Sequence, residues 1–210
     1  MQERPETSIP SSHPTSNIPL IVFDTETTGL RENQICQLAY LIVTPDEVIG
    51  KNFFFTVDDM NSYAQEVHGF SREQLRRLSN GQRFEDKADE IHADFKAVDL
   101  VVGHNVSYDV KQIRDSLKRT GIKYSPKKTL CTMVFFTPIM KLVDKQGKKK
   151  PPKLNELRRH FGLTERMVSK ATQEIFRYCG KAHDARFDAV ATYLCLVEAN
   201  KTGQLKGLLR

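Results

Sequence analysis

The chain is poor in the features that mark several protein classes. It has four cysteines in 210 residues, Cys36, Cys131, Cys179 and Cys195, and none lies close to another. That spacing argues against paired-cysteine zinc modules and disulfide-stapled miniproteins. It fits a reduced, cytoplasmic protein whose thiols pack as small hydrophobes. No apolar run approaches the length of a membrane span, and the N-terminus lacks a basic-then-apolar leader pattern, so no membrane partner is expected. No internal repeat is visible. Hydrophobic residues make up 39%, slightly lean because the ends and one loop are polar, yet the length suffices for one sizeable core.

Net charge is also scarce outside one segment. Residues 1–19 hold Glu3, Arg4 and Glu6 with four of the nine prolines, a composition expected of a disordered tail over residues 1–18. Residues 141–153 hold six lysines against Asp144 alone, and so supply +5 of the net +6. With the tail at −1, the remaining body carries only +2. A local basic loop suits a phosphate backbone and salt-sensitive binding, which makes Lys148, Lys149 and Lys150 candidate substrate contacts. A solvated loop that keeps the chain soluble is the alternative.

In place of these features the chain has acidic motifs at the ends of apolar runs. Leu20-Ile21-Val22-Phe23 leads into Asp24-Thr25-Glu26-Thr27-Thr28-Gly29-Leu30. Side chains two apart on a strand share a face, so Asp24 and Glu26 stand side by side before a turn at Gly29. Two close carboxylates repel and resist burial, and a hard divalent cation with oxygen ligands resolves both problems. On its own, Asp-x-Glu can equally mark a strand leaving the core. Two more segments change that balance. Leu100-Val101-Val102-Gly103 reads as a buried strand, followed by His104-Asn105-Val106-Ser107-Tyr108-Asp109 and a helix with apolar Val110, Ile113 and Leu117. Near the C-terminus, His183-Asp184-Ala185-Arg186-Phe187-Asp188 leads into another helix, with Asp184 as its expected cap and Asp188 in its opening turns.

The remaining periodicity predicts strands over 36–44, 52–57 and 129–131, and helices over 71–78, 85–98, 107–120, 154–161 and 184–200. Three strands in series followed by alternating helices and strands imply a mixed α/β sheet with helices on its faces.

Together the motifs FDTETTGL, HNVSYD and HDARFD resemble, in order and separation, those of the DEDDh 3′–5′ exonucleases. That family includes the epsilon proofreading subunit of DNA polymerase III, ribonuclease T and oligoribonuclease. The resemblance extends to Val67-His68-Gly69-Phe70 and to residues 153–163, and covers residues 19–199. It implies a ribonuclease H-like fold, a mixed central sheet flanked by helices, over residues 19–200, with 201–210 as a C-terminal tail. It also implies two divalent cations, Mg2+ or Mn2+. Asp24 would bridge both, Glu26 and Asp188 would complete the site of the attacking water, and Asp109 would support the second ion. His183 would be the general base. Backbone groups of residues 25–28, including Thr25, Thr27 and Thr28, would hold the terminal sugar and phosphate, Leu30 would wedge against the terminal base, and Asn105 would hydrogen-bond to substrate or hold the loop. His68 and Gly69 would fix a turn near the site. Tyr108 stands where phenylalanine is common, which should preserve packing, and Lys128 stands where many members have aspartate.

The chemistry suits those residue types. Two metal ions about 3.5–4 Å apart activate water and support the leaving oxygen in phosphodiester hydrolysis. An all-oxygen ligand set favours magnesium or manganese over zinc, and an imidazole accepts protons near neutral pH. The expected activity is a 3′–5′ exonuclease releasing nucleoside 5′-monophosphates from single-stranded ends, DNA slightly preferred over RNA. A DNA polymerase or a replication or repair protein is a candidate partner. The competing readings are an exonuclease-like domain that binds nucleic acid or a polymerase without cutting, and a protein that serves mainly through a partner contact, with Gln204-Leu205-Lys206-Gly207-Leu208-Leu209 as a docking peptide.

Overall fold

The computed structural model describes residues 8–10, 18–29 and 34–205. Six strands form one sheet in the order β1-β4-β3-β2-β5-β6. β2 (Leu20–Thr27), β3 (Ile35–Val43) and β4 (Glu47–Phe54) make an antiparallel meander, and β1 (Ser8–Pro10) pairs antiparallel with β4. On the other side of β2, β5 (Leu100–Gly103) and β6 (Thr129–Cys131) run parallel to it and to each other. A mixed sheet with helices on both faces is therefore present, as in the ribonuclease H-like fold.

Alternation along β2 assigns its two faces. Leu20 and Val22 enter a core filled largely by α8 (Ala185–Lys201), with α6 (Leu154–His160) and α7 (Glu165–Phe176) beside it. Ile21 and Phe23 enter a second core against α3 (Ala88–Ala97) and α4 (Val106–Arg119). Asp24 and Glu26 continue the α8 face, while Thr25 continues the α4 face.

Pairing between β2 and β5 stops at Val22–Val102, whereas pairing between β2 and β3 runs on to Thr27. Gly103 sits at this fork, where a Cβ would lie 3.3 Å from the Phe23 carbonyl oxygen. Beyond the fork, the Thr25 amide faces the opening instead of β5. Open α/β sheets bind ligands at such switch points, outside the carboxyl ends of the strands.

Several boundaries differ from the sequence reading. β4 begins at Glu47, earlier than predicted, because Thr44 closes a tight turn by bonding Glu47 through both its amide and its hydroxyl. Ser8–Pro10 forms a strand inside the stretch expected to be a tail; main-chain pairing with the edge of β4 needs no apolar pattern. Residues 1–7 and 11–17 lie outside the described residues. At the other end α8 runs to Lys201, the chain turns at Gly203, and Leu205 is buried in the α8 core. α8 therefore ends one residue past the predicted boundary at 200 and Leu205 packs into its core, while residues 206–209 of the docking-peptide reading lie outside the described residues. Three helices were not anticipated: α1 (Ser62–His68), α5 (Thr132–Met140) and α7. The four cysteines are free. No helix among the described residues is long and apolar enough to cross a membrane.

Candidate active site

Three of the predicted acids converge. One carboxylate oxygen from each of Asp24, Glu26 and Asp188 lies within 4.8 Å of the others. β2 supplies the first two, side by side on the α8 face, and the first turn of α8 supplies the third. Asp109 approaches from the first turn of α4. Its Oδ1 accepts from the freed Thr25 amide at 3.2 Å and from the Thr25 hydroxyl at 2.7 Å, so the fork in the sheet aims this carboxylate.

Crowding at the floor of the site changes the acids. Burial, with Asp109, Asp188, Glu26 and Asp184 close by, holds the Asp24 carboxyl well above its ordinary range. Burial, then Asp188, Asp184 and Asp109, does the same to Glu26. Burial pushes Asp109 up to about 7 despite the two Thr25 bonds, and Asp188 adds to the rise. Asp188 is also pushed up to about 7 by burial; the His183 amide opposes the shift, and Asp184 reinforces it. Clustered carboxylates that resist ionisation are a ready receptor for hard cations, and every donor here is an oxygen. The residues present therefore fit divalent metal. Asp24, Glu26 and Asp188 form the tight group, with Asp109 beside it.

His183 is exposed and lies in the left-handed region at φ 63°, just before the Asp184 cap of α8. Its backbone N–H donates to Asp188 Oδ2 at 3.0 Å. The base candidate and the last ligand candidate are thus tied together.

A groove of about 1520 Å³ opens from Thr25 and Glu26. Residues 25–29, His68, Asn105 and Tyr108 are among those that line it. Asn105, at φ 74°, begins α4 and is exposed. Leu30 lies outside the described residues. Lys148 and Lys149 are exposed on a small hairpin in which Val143 pairs with Lys149 and Asp144 accepts from the Gln146 and Lys148 amides. Lys150 points its ammonium at Glu156, 2.6 and 2.7 Å from the two carboxylate oxygens, and so is engaged within the fold. His104, just after β5, places Nε2 3.0 Å from the carbonyl of Pro152, which follows the hairpin. Burial keeps His104 below the ordinary histidine range. Its Nε2 donates to the Pro152 carbonyl, and its Nδ1 lies 3.0 Å from the Thr132 hydroxyl.

Other working contacts had weaker signals. The Tyr108 hydroxyl lies 2.9 Å from Thr27 Oγ1, and Thr27 in turn donates to the Gly29 carbonyl at 3.0 Å. A tyrosine in a phenylalanine position thus ties the second motif to the turn of the first, which goes beyond preserving packing. His68 accepts from the Phe70 amide at Nδ1, and Gly69 follows at φ 83°. Burial lowers its proton affinity, and it caps a turn as expected. Gln37 and Arg186, which hold Asp184, drew no attention in the sequence. Asp184 was expected only as a cap, which it is.

The sheet and its clustered acids define the class, a ribonuclease H-like domain with a cation-ready site of nuclease type. Residues 21–194 match the RNase_T family, described as exonuclease, and the chain belongs to that family. It is 29% identical over 121 residues to the 3′-5′ exonuclease DinG of Staphylococcus saprophyticus, an alignment covering 55% of this chain and 13% of that protein. Its fold is similar to Escherichia coli exonuclease I in complex with a dT13 oligonucleotide, with a TM-score of 0.70 and 17% identity over 91% of this chain and 43% of that one. The exonuclease I of Methylocaldum szegediense gives 0.68 and 18% over 91% and 42%. A zinc-bound form of the E. coli exonuclease I complex with single-stranded DNA gives 0.69 and 16% over 90% and 42%. The chain thus spans less than half the length of these proteins.

Proposed function

We propose that this chain is a divalent-metal-dependent 3′–5′ exonuclease that removes nucleoside 5′-monophosphates from single-stranded 3′ ends, with DNA preferred over RNA. The observation that carries the proposal is the meeting of Asp24, Glu26 and Asp188 within 4.8 Å, with Asp109 beside them. Two bound Mg2+ or Mn2+ ions would neutralise the acids and supply Lewis-acid stabilisation of the crowded, anionic phosphorus centre.

The chain's own residues do the rest. Asp24, Glu26, Asp109 and Asp188 would hold the cations. His183, exposed beside Asp188, takes the proton of the attacking water at a ring nitrogen. Thr25, Thr27 and Thr28 with Asn105 line the groove in which the terminal sugar and phosphate lie. Lys148 and Lys149 meet the phosphate backbone further out. The preference for DNA is supported by the exonuclease I structures, whose bound strands are deoxyoligonucleotides.

The test is a 5′-labelled oligonucleotide in DNA and RNA versions of one sequence, incubated with Mg2+, Mn2+ or chelator. A metal-dependent ladder of shortened products, faster on DNA, with mononucleotides released, is expected. An unchanged band with both metals overturns the activity, and equal or faster decay of RNA overturns the preference.

A further inference from the structure

The third motif is fastened by contacts that the proposed chemistry does not use. Asp184, 2% exposed, accepts four hydrogen bonds. They come from the Arg186 amide at 3.1 Å, Arg186 Nε at 2.8 Å, Arg186 Nη2 at 2.6 Å and Gln37 Nε2 at 3.1 Å. The Arg186 guanidinium is itself buried, stacked 3.3 Å above the Tyr178 ring centroid, with Phe54 5.2 Å away. Gln37 completes the anchor by accepting from the Ala185 amide at 3.2 Å and donating to Asn52 at 2.8 Å. On β3, Gln37 is the residue paired with Glu26 of β2. The latch therefore joins the start of α8 to the rung of the sheet that carries a metal-ligand candidate.

Net stability does not account for such a device. A buried ion pair seldom outperforms apolar packing, but it fixes geometry, and removing one partner strands the other. Here the stranded group would be a fifth carboxylate, because the Asp184 charge is already felt at Asp24, Glu26 and Asp188. His183, in its left-handed turn, immediately precedes the pair, and Asp188 follows it by two residues.

We propose that Arg186 is a positioning residue: by gripping Asp184 in its planar fork it keeps that carboxylate out of the cation site and fixes the turn from which His183 and Asp188 enter it. The proposal rests on the exonuclease reading above. The fork matters as much as the charge, since lysine matches neither the bidentate grip nor the stack on Tyr178.

Three variants test it: Arg186→Ala, Arg186→Lys, and the pair Asp184→Asn with Arg186→Ala. Each is measured for melting temperature, for Mn2+ affinity by the spin-resonance signal of free Mn2+, and for turnover on single-stranded DNA. Arg186→Ala is expected to lower kcat by about ten- to hundredfold with KM for DNA changed less than about threefold, and to shift Mn2+ affinity by about fivefold or more. Arg186→Lys should fall between. The double variant, with no stray charge, should recover several-fold of the lost kcat and return Mn2+ affinity toward wild type. Single and double variants impaired equally, in step with lost melting temperature, would mean that the pair only holds the fold. Wild-type Mn2+ binding and kcat in Arg186→Ala would also overturn the proposal. Should Arg186→Ala not fold, Arg186→Lys against Asp184→Asn with Arg186→Lys makes the same comparison. If the wild-type protein cuts nothing, the exonuclease reading fails, while the Mn2+ titration still decides the latch.

Discussion

His183 and Asp188 are joined by one backbone hydrogen bond, yet their proposed tasks differ: one moves a proton, the other holds charge. Replacing His183 by alanine keeps its amide, and with it the bond to Asp188. His183→Ala should therefore bind Mn2+ and DNA as before while turnover falls by about two to four orders of magnitude, a range typical of a lost general base. Single-turnover kinetics beside DNA-binding titration would check this, and near-full turnover would remove the imidazole from the reaction. The five residues proposed to bear the chemistry could be singled out because phosphodiester hydrolysis accepts few side-chain types, and their motifs border apolar segments. Gln37, Arg186 and the Tyr108 hydroxyl could not. Gln37 meets Asp184 from 147 positions away, and nothing local in either segment announces the other.

Among the elements, β2, β5, β6 and α4 could be read from periodicity, since each buries one face or both. α5 could not: its sequence, TMVFFTPIM, is apolar and β-branched or aromatic, and carries Pro138, so short-range signals oppose a helix that packing imposes. α7 left a clearer trace in its Thr164 cap and in Val168, Thr172 and Ile175, buried at helical spacing. The lysine-rich segment, expected to be a loop, is a hairpin ordered by Asp144 and pinned through Pro152 to His104. An ordered arm that carries exposed lysines makes a definite prediction. Lys148→Ala with Lys149→Ala should weaken single-stranded DNA binding and reduce the slope of log affinity against log salt by about 1 to 2, measured by fluorescence anisotropy. Lys150→Ala should change that slope less, because its ammonium already faces Glu156. Unchanged slopes in the double variant would leave the arm without a substrate role.

The assembled molecule holds its acids at a cost in stability. Asp109 and Asp188, each pushed up to about 7, keep protons in the folded protein at pH values where unfolded aspartates, with an ordinary value of 3.8, have released them. The folded state binds the extra protons between these limits, so stability falls as pH rises from about 4 to about 7 and then levels off. Cations that bind only the folded state reverse the loss. Metal-free protein should melt progressively lower from pH 5 to pH 7 and regain stability with Mn2+ at pH 8. Asp188→Asn should melt higher than wild type at pH 8 without metal, by on the order of 1 kcal/mol or about 2–4 °C, while losing activity. Calorimetry across pH checks both, and a flat metal-free profile would refute the account. The placement of Asp188 on the last helix of the described chain has one more consequence. While the protein is still being synthesised, a nascent chain that has emerged only as far as α7 carries Asp24, Glu26 and Asp109 but neither Asp188 nor His183. On the proposed assignment, the cation site would stay one carboxylate short until α8 emerges and docks.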